Sequence, residues 1–304
     1  MPESYPGQAI NTLFDPEEVL EIVRAHYSLD APQTCRLIRR GFNDHYQVTA
    51  GNTQYIFRAY LNGKYYIDSA EAFQFEVDLV DYLHKRKMPV AYPVPRKDGD
   101  LLGWAATPLG ERATALFSYA LGEEISKDSL TTAQRLELGK TVATFHLTAN
   151  SFHSEHRRYH LNLKYLVEEP LRLIAQQDND KIQEILASLQ PISALVDAVK
   201  SLTTDGDEYG IIHGDLHAGN MHFQGNQVTL FGFDHCAYGW RAYDLATIFY
   251  LPEAQQKAFF RGYEAVRPLT EGERDCLPVF AKLRTLWDIG DILATEALRA
   301  EPSK

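Results

Sequence analysis

The pattern of apolar and polar positions changes character part-way along the chain. Residues 34–40 (TCRLIRR), 45–49 (HYQVT) and 54–60 (QYIFRAY) are short runs rich in β-branched and aromatic residues, separated by the turn-prone GFND and AGNT. They predict an antiparallel meander. In DSAEAFQFEVDLVDYLHKRK the apolar residues return at helical spacing, which predicts a long helix from Ser69 to about Lys87 with Asp68 and Glu71 as its N-terminal capping pair. AYPVPRKDGD breaks that helix, and LLGWAATPLG followed by ATALFSY reads as two further strands.

From about Leu130 the periodicity is mostly helical, through TTAQRLELGKTVATFHLTA, LNLKYLVEEPLRLIAQQ and DKIQEILASLQPISALVDAVKSL, and again after Glu253. One β interruption is expected, NMHFQGNQVTLFGFD, a hairpin joined around Gly225 and Asn226. The pattern therefore predicts an α+β chain of two lobes. Residues 1–120 form a small antiparallel sheet with one long helix, residues 121–304 a larger helical body, and a hinge lies at about 115–122.

At 304 residues and 34.5 kDa the chain has room for two ordinary cores, which agrees with two lobes. The excess of 41 acidic over 30 basic residues gives a net charge of −11, which argues against a nucleic-acid partner and favours small or cationic ones. Cys35, Cys236 and Cys276 are odd in number and widely separated, so neither a disulfide framework nor a CxxC knuckle is expected. The opening MPESYPGQAINTLFD has no signal-peptide pattern, and no segment approaches the ~20 apolar residues of a membrane span. A cytoplasmic protein with no membrane partner is expected.

Candidate chemistry concentrates in IIHGDLHAGNMHF, residues 211–223, where a bound transition metal competes with a phosphate donor and its magnesium. Asp215 and Asn220 lie at the start of the expected hairpin and Asp234 just past its end, so antiparallel pairing brings the three together. Clustered oxygen ligands suit a hard cation such as Mg2+. The Asp215-to-Asn220 spacing matches the HRDxxxxN loop of protein kinases, in which a metal-binding aspartate follows on the next strand. Short His and Asp spacings also occur in zinc metallohydrolases, but Gly214 and Gly219 suit a loop, and His217 and His222 read as solvated loop residues. In the first lobe, positions 73, 76, 77, 80 and 83 share a helix face, and Glu76 is its one acid. A buried carboxylate needs a cation, and Arg58 on the preceding strand is the candidate.

GFNDHYQV, YIFRAY, Glu76, ATALFSY, HGDLHAGN, LFGFDHCAYGW and YDLA, in this order over about residues 34–250, resemble the aminoglycoside phosphotransferase and choline kinase family, with its homoserine kinase and stress-response kinase relatives. The resemblance implies a bilobal protein-kinase-like fold and the use of ATP with Mg2+ to phosphorylate a hydroxyl. It implies that Asp215 is the catalytic base, that Asn220 and Asp234 hold magnesium, and that Arg58 and Glu76 fix the phosphates. Gly41, Phe42 and Asn43, with Asp44, would form the loop over the nucleotide, and Phe117, Ser118 and Tyr119 the hinge that meets adenine. His213 and Asp244 would orient the catalytic loop, while Tyr238, Trp240 and Trp287 are candidate substrate contacts. The sequence departs from the family pattern in having arginine for the usual lysine at Arg58, no GxGxxG in the first loop, and His235 where a second acid is common.

The implied partner is a small hydroxyl acceptor, and the charge of −11 favours one bearing an amine: an aminoglycoside, an amino alcohol, a homoserine-like compound or a sugar. A Ser/Thr protein kinase of the bacterial stress-response type is the alternative. A nucleotide-binding pseudokinase and a zinc metallohydrolase stand further off.

Overall fold

The computed structural model describes residues 13–31, 33–108, 110–204 and 206–299; the chain start read above for a signal peptide lies largely outside them, as does Leu109 of the expected fourth strand. Helix α1 (Pro16–His26) opens the described chain, closed by a capping box in which the Asp15 carboxylate accepts from Glu17 N and Glu18 accepts from Asp15 N. Its Val19, Leu20 and Val23 pack against Tyr46, Val48 and Phe57 on one face of the sheet.

That sheet comprises β1 (Gln33–Arg40), β2 (Asn43–Ala50), β3 (Thr53–Tyr60), β4 (Gly103–Thr107) and β5 (Gly110–Ser118), in the order β1-β2-β3-β5-β4 and antiparallel throughout. The meander is present, and its register places His45 opposite Arg58. Helix α2 (Glu71–Lys85) follows β3 and buries Phe73, Glu76, Val77, Val80 and Leu83, the whole stripe. The Asp68–Glu71 capping pair does not form. Ala70 occupies the N-cap without a side-chain bond, because Glu71 instead accepts from the backbone N–H of Arg157 at 3.2 Å. The helix stops two residues early, where Lys87 turns left-handed (φ 66°) and Met88 N donates back to Leu83 O.

The second lobe is built on α3 (Thr132–Ala149), followed by the short α4 (Glu169–Ile174), α5 (Asp180–Ser188) and α6 (Ile192–Lys200). Strand β6 (Tyr209–Ile212) leads into the histidine-rich segment, and β7 (Met221–Gln224) and β8 (Gln227–Leu230) form the expected hairpin around Gly225 and Asn226. Strand β9 (Ala237–Trp240) returns to pair with β6, a ladder the pattern missed because both strands are four residues long and far apart in sequence. Helices α7 (Arg241–Leu245), α8 (Glu253–Glu264) and the 29-residue α9 (Glu271–Arg299) complete the lobe. No helix among the described residues is long and apolar enough to cross a membrane.

Candidate active site

A cavity of about 260 Å³ lies between the lobes, with Arg58 and Glu76 on the sheet side and Asp215, Asn220 and Asp234 on the helical side. Arg58 Nη1 donates to Glu76 Oε1 at 2.5 Å, with both side chains buried. Burial disfavours the guanidinium charge, but Glu76 and Asp234 more than offset it and raise its pKa. Arg58 Nε donates to His45 Nε2 at 3.2 Å, and burial pushes that histidine down to about 3, so it is a neutral acceptor. The cavity lining also carries the apolar Ile38, Ile56, Val80, Ala91, Phe117 and Phe231, and the Arg58 guanidinium lies 4.8 Å from the centre of the Phe117 ring.

Asp234 follows a left-handed glycine: Gly232 has φ 78°, and a Cβ there would stand 2.5 Å from Asn220 Oδ1. Three polar side chains converge on the Asp234 carboxylate. Asn43 Nδ2 donates to Oδ2 at 2.7 Å, Arg58 Nη1 is 3.8 Å from Oδ1, and Lys64 Nζ is 3.9 Å from Oδ2. Burial alone would raise this carboxyl, yet Arg58, His235 and Lys64 hold it far below the ordinary carboxylate range. Arg158 donates to the carbonyls of Ala72, Asp234 and Cys236, which ties this turn to α2.

The segment 213–220 is held from beneath by a directed hydrogen-bond chain. Asp244, at 0% exposure, accepts from His213 N at 2.7 Å and Gly214 N at 2.9 Å. His146 Nε2 is 3.1 Å from the same carboxylate and His146 Nδ1 is 2.8 Å from Tyr263 Oη. Burial lowers the His146 pKa to about 4, so the ring is neutral. It therefore donates from Nε2 to Asp244 and accepts at Nδ1 from Tyr263, whose oxygen accepts in turn from Arg267 Nη1. His213 accepts from Asp215 N and donates to Phe231 O, which fastens the loop to the end of the hairpin.

Asp215 is surrounded by donors. Asn220 Nδ2 donates to both its backbone oxygen and Oδ2, which turns the Asn220 carbonyl away from Asp215. Arg284 Nη2 donates to Oδ1 at 3.1 Å, His217 Nε2 stands 3.3 Å from Oδ2, and His235 Nδ1 stands 3.7 Å from it. Burial works against ionisation here, but the histidine hydrogen bonds prevail and hold Asp215 well below its usual range. His235 is also 3.1 Å from Asp291, and despite burial these carboxylates raise it to about 10, making it a buried imidazolium.

Phe42 and the hinge residues Phe117, Ser118 and Tyr119 line the cavity. Asp44 does not. Asn43 and Asp44 belong to β2, and Asp44 is wholly buried against Arg112 Nη1 at 2.8 Å, so the open turn is Gly41–Phe42 alone. Three aromatic candidates also lie elsewhere. Trp240 donates to Thr203 O and packs on Phe280, and Tyr238 stacks on His160, because pairing of β9 with β6 draws both into the helical body. Trp287 is buried against Tyr65 and Tyr66, behind His235. His217 is not simply solvated, since it faces Asp215, and His222 is tied to Ala120 O. Lys64, Arg158, Arg284 and Asp291 were not flagged by the pattern; Asp291, an acid buried in α9, carried the same signal as Glu76.

A five-stranded sheet and helical lobe closing on an HGDLHAGN loop define the protein-kinase-like fold. The chain belongs to the phosphotransferase enzyme family, whose sequence model matches residues 34–275. It is a phosphotransferase of the small-molecule kinase type with a hydroxyl group as acceptor. It is 32% identical over 281 residues to an uncharacterized protein of Synechocystis sp., covering 90% of this chain and 76% of the other. The structure of amicoumacin kinase hAmiN with AMP-PNP and Ca2+ matches with a TM-score of 0.73 at 21% identity, covering 91% of this chain and 85% of that one. A microcompartment-associated aminopropanol kinase matches with the same TM-score of 0.73 at 22% identity, over 94% and 90% of the two chains.

Proposed function

We propose that this enzyme transfers the γ-phosphoryl group of ATP to a hydroxyl of a small, amine-bearing molecule, with residues 1–120 holding the nucleotide and 121–304 the acceptor. The observation that carries this reading is the convergence of Asp215, Asn220 and Asp234 on one cavity whose opposite wall is the Arg58–Glu76 pair. The apolar lining residues Ile38, Ile56 and Phe231 suit a purine, with Phe117 to Tyr119 of the hinge lining the same cavity.

Asn220 and Asp234 offer a carboxamide and a carboxylate oxygen, the donor set that suits a hard cation, and the low pKa of Asp234 keeps it ionised for that task. Magnesium bound there would neutralise charge on the β and γ phosphate oxygens. Arg58, oriented by Glu76 and His45, donates to the phosphates. The acceptor oxygen bonds to the γ phosphorus while the bond to the β–γ bridging oxygen breaks, the hydroxyl proton passes to Asp215, and ADP leaves. A base of such low pKa takes the proton late, which fits a loose transition state in which the hydroxyl is aligned first and deprotonated afterwards.

An amine-bearing acceptor is supported by the net charge of −11 and by the likeness to the aminopropanol kinase. The test is a melting-point screen of amino alcohols, aminoglycosides, homoserine and sugars with Mg2+ and a nonhydrolysable ATP analogue, followed by ADP release with ATP. A true acceptor raises the melting point with occupancy and accelerates ADP release. Asp215→Asn should bind nucleotide yet turn over nothing; turnover at the wild-type rate would refute the mechanism.

A further inference from the structure

Three side chains of α9 that pair with residues of the cleft region lie on one stripe. Arg284, Asp291 and Arg299 fall within about 80° of one another on the helix, and the stripe runs roughly 22 Å from first to last. Arg284 meets Asp215 and Asp291 meets His235, both in the helical lobe. Arg299 crosses to the other lobe. Its Nε and Nη2 donate to Gly41 O at 2.9 and 2.5 Å, and Nη2 lies 2.9 Å from Asp44 Oδ1.

The receiving turn is held from both lobes. Strand β1 is an edge strand, exposed from Leu37 to Arg40 and bulged between Leu37 and Arg39. Within its own lobe Asp44 is anchored by Arg112 and Gly41 N donates to Asn43 O at 3.1 Å, while from across the cleft the Phe42 ring lies 5.0 Å from His235 and Arg299 grips the Gly41 carbonyl. We propose that Arg299 is a positioning residue, a strap from the end of α9 that holds the Gly41–Phe42 turn against the phosphate end of the cleft. The nucleotide half of this inference rests on the proposed function.

The test uses the full chain with Arg299→Ala and Arg299→Lys. Without ligand, amide hydrogen exchange over residues 41–45 should quicken about tenfold in Arg299→Ala, while β3 and residues 284–291 keep their wild-type rates. Affinity for AMP-PNP with Mg2+ should fall about tenfold and that for AMP by less than about twofold, since the turn meets phosphates rather than adenosine. KM for ATP in slow hydrolysis should rise with kcat changed less than about threefold, and Arg299→Lys should restore part of the loss. Unchanged exchange and unchanged AMP-PNP affinity would overturn the strap. Equal losses for AMP and AMP-PNP with a lower melting point would overturn it too, by showing that Arg299 merely supports the fold. If wild-type protein binds no ATP analogue while exchange at 41–45 still quickens in Arg299→Ala, the nucleotide reading fails and the strap stands.

Discussion

Arg284 and Asp215 are 69 residues apart in sequence, yet the guanidinium donates to the carboxylate at 3.1 Å. A cation this close stabilises the ionised acid, so Arg284→Met should raise the pKa of Asp215. The sign follows: a base with a higher pKa stays protonated to higher pH, and the acid limb of the rate profile moves upward. Maximal turnover should fall about tenfold to a hundredfold, since the carboxylate also loses its orientation. The pH dependence of ADP formation checks both; an acid limb that does not move would show that His217 and His235 alone hold the charge.

The Arg58–Glu76 pair gives a stability prediction. Glu76 is at 0% exposure, so Arg58→Met strands a carboxylate in the core and should cost about 3–5 kcal/mol. Adding Glu76→Gln should recover a large part of that loss. Arg58→Lys keeps the charge but cannot reach Glu76 and His45 together, and should cost about 1 kcal/mol. Urea unfolding with an unchanged m-value reads all three; equal losses in the single and double variants would mean that the ion pair is not what holds Arg58 in place.

Which parts of this site were legible in the sequence follows from how local each part is. Asp215, Asn220 and Asp234 flank one short hairpin on its open side, so its strand pairing draws their segments together, and Glu76 announced itself as an acid in an apolar stripe. Arg284 and Arg299 reach their partners only through the docking of α9, which no local period encodes. Lys64 sits in the coil between β3 and α2, where there is no pattern to break. GFND misled in the opposite sense: its composition is that of a turn, but Arg112 draws Asp44 into the strand. Tyr238 and Trp240 misled because nearness to Asp234 in sequence says nothing about β9 pairing back onto β6.

Gly232 tests how closely Asn220 must be placed. A Cβ at this left-handed position would fall 2.5 Å from Asn220 Oδ1, and the φ of 78° is itself unfavourable for alanine. Gly232→Ala should destabilise the protein by about 1–2 kcal/mol. Because the clash falls on the proposed metal-binding oxygen, the Mg2+ concentration for half-maximal ATP turnover should rise more than KM for nucleotide. A rise confined to nucleotide KM would remove Asn220 from the metal site.

His146 makes the footing of the catalytic loop sensitive to acid. Its folded pKa of about 4 lies below the ordinary 6.5 because burial disfavours the imidazolium. Between those values the unfolded chain holds a proton that the folded chain does not, so stability is full above pH 6.5 and is lost as pH falls toward 4. The contribution is at most about 3 kcal/mol. His45, His160 and His213 are lowered by burial in the same sense and Asp288, raised by burial to about 6, acts in the opposite one, so the total slope is not that of His146 alone. Comparing wild type with His146→Phe isolates one of them: the variant, weaker at neutral pH because Asp244 and Tyr263 lose a partner, should lose less stability between pH 6.5 and 4. Parallel stability curves over that range would mean that His146 is already charged in the fold, and the hydrogen-bond chain from Arg267 to Asp244 would then have to run differently.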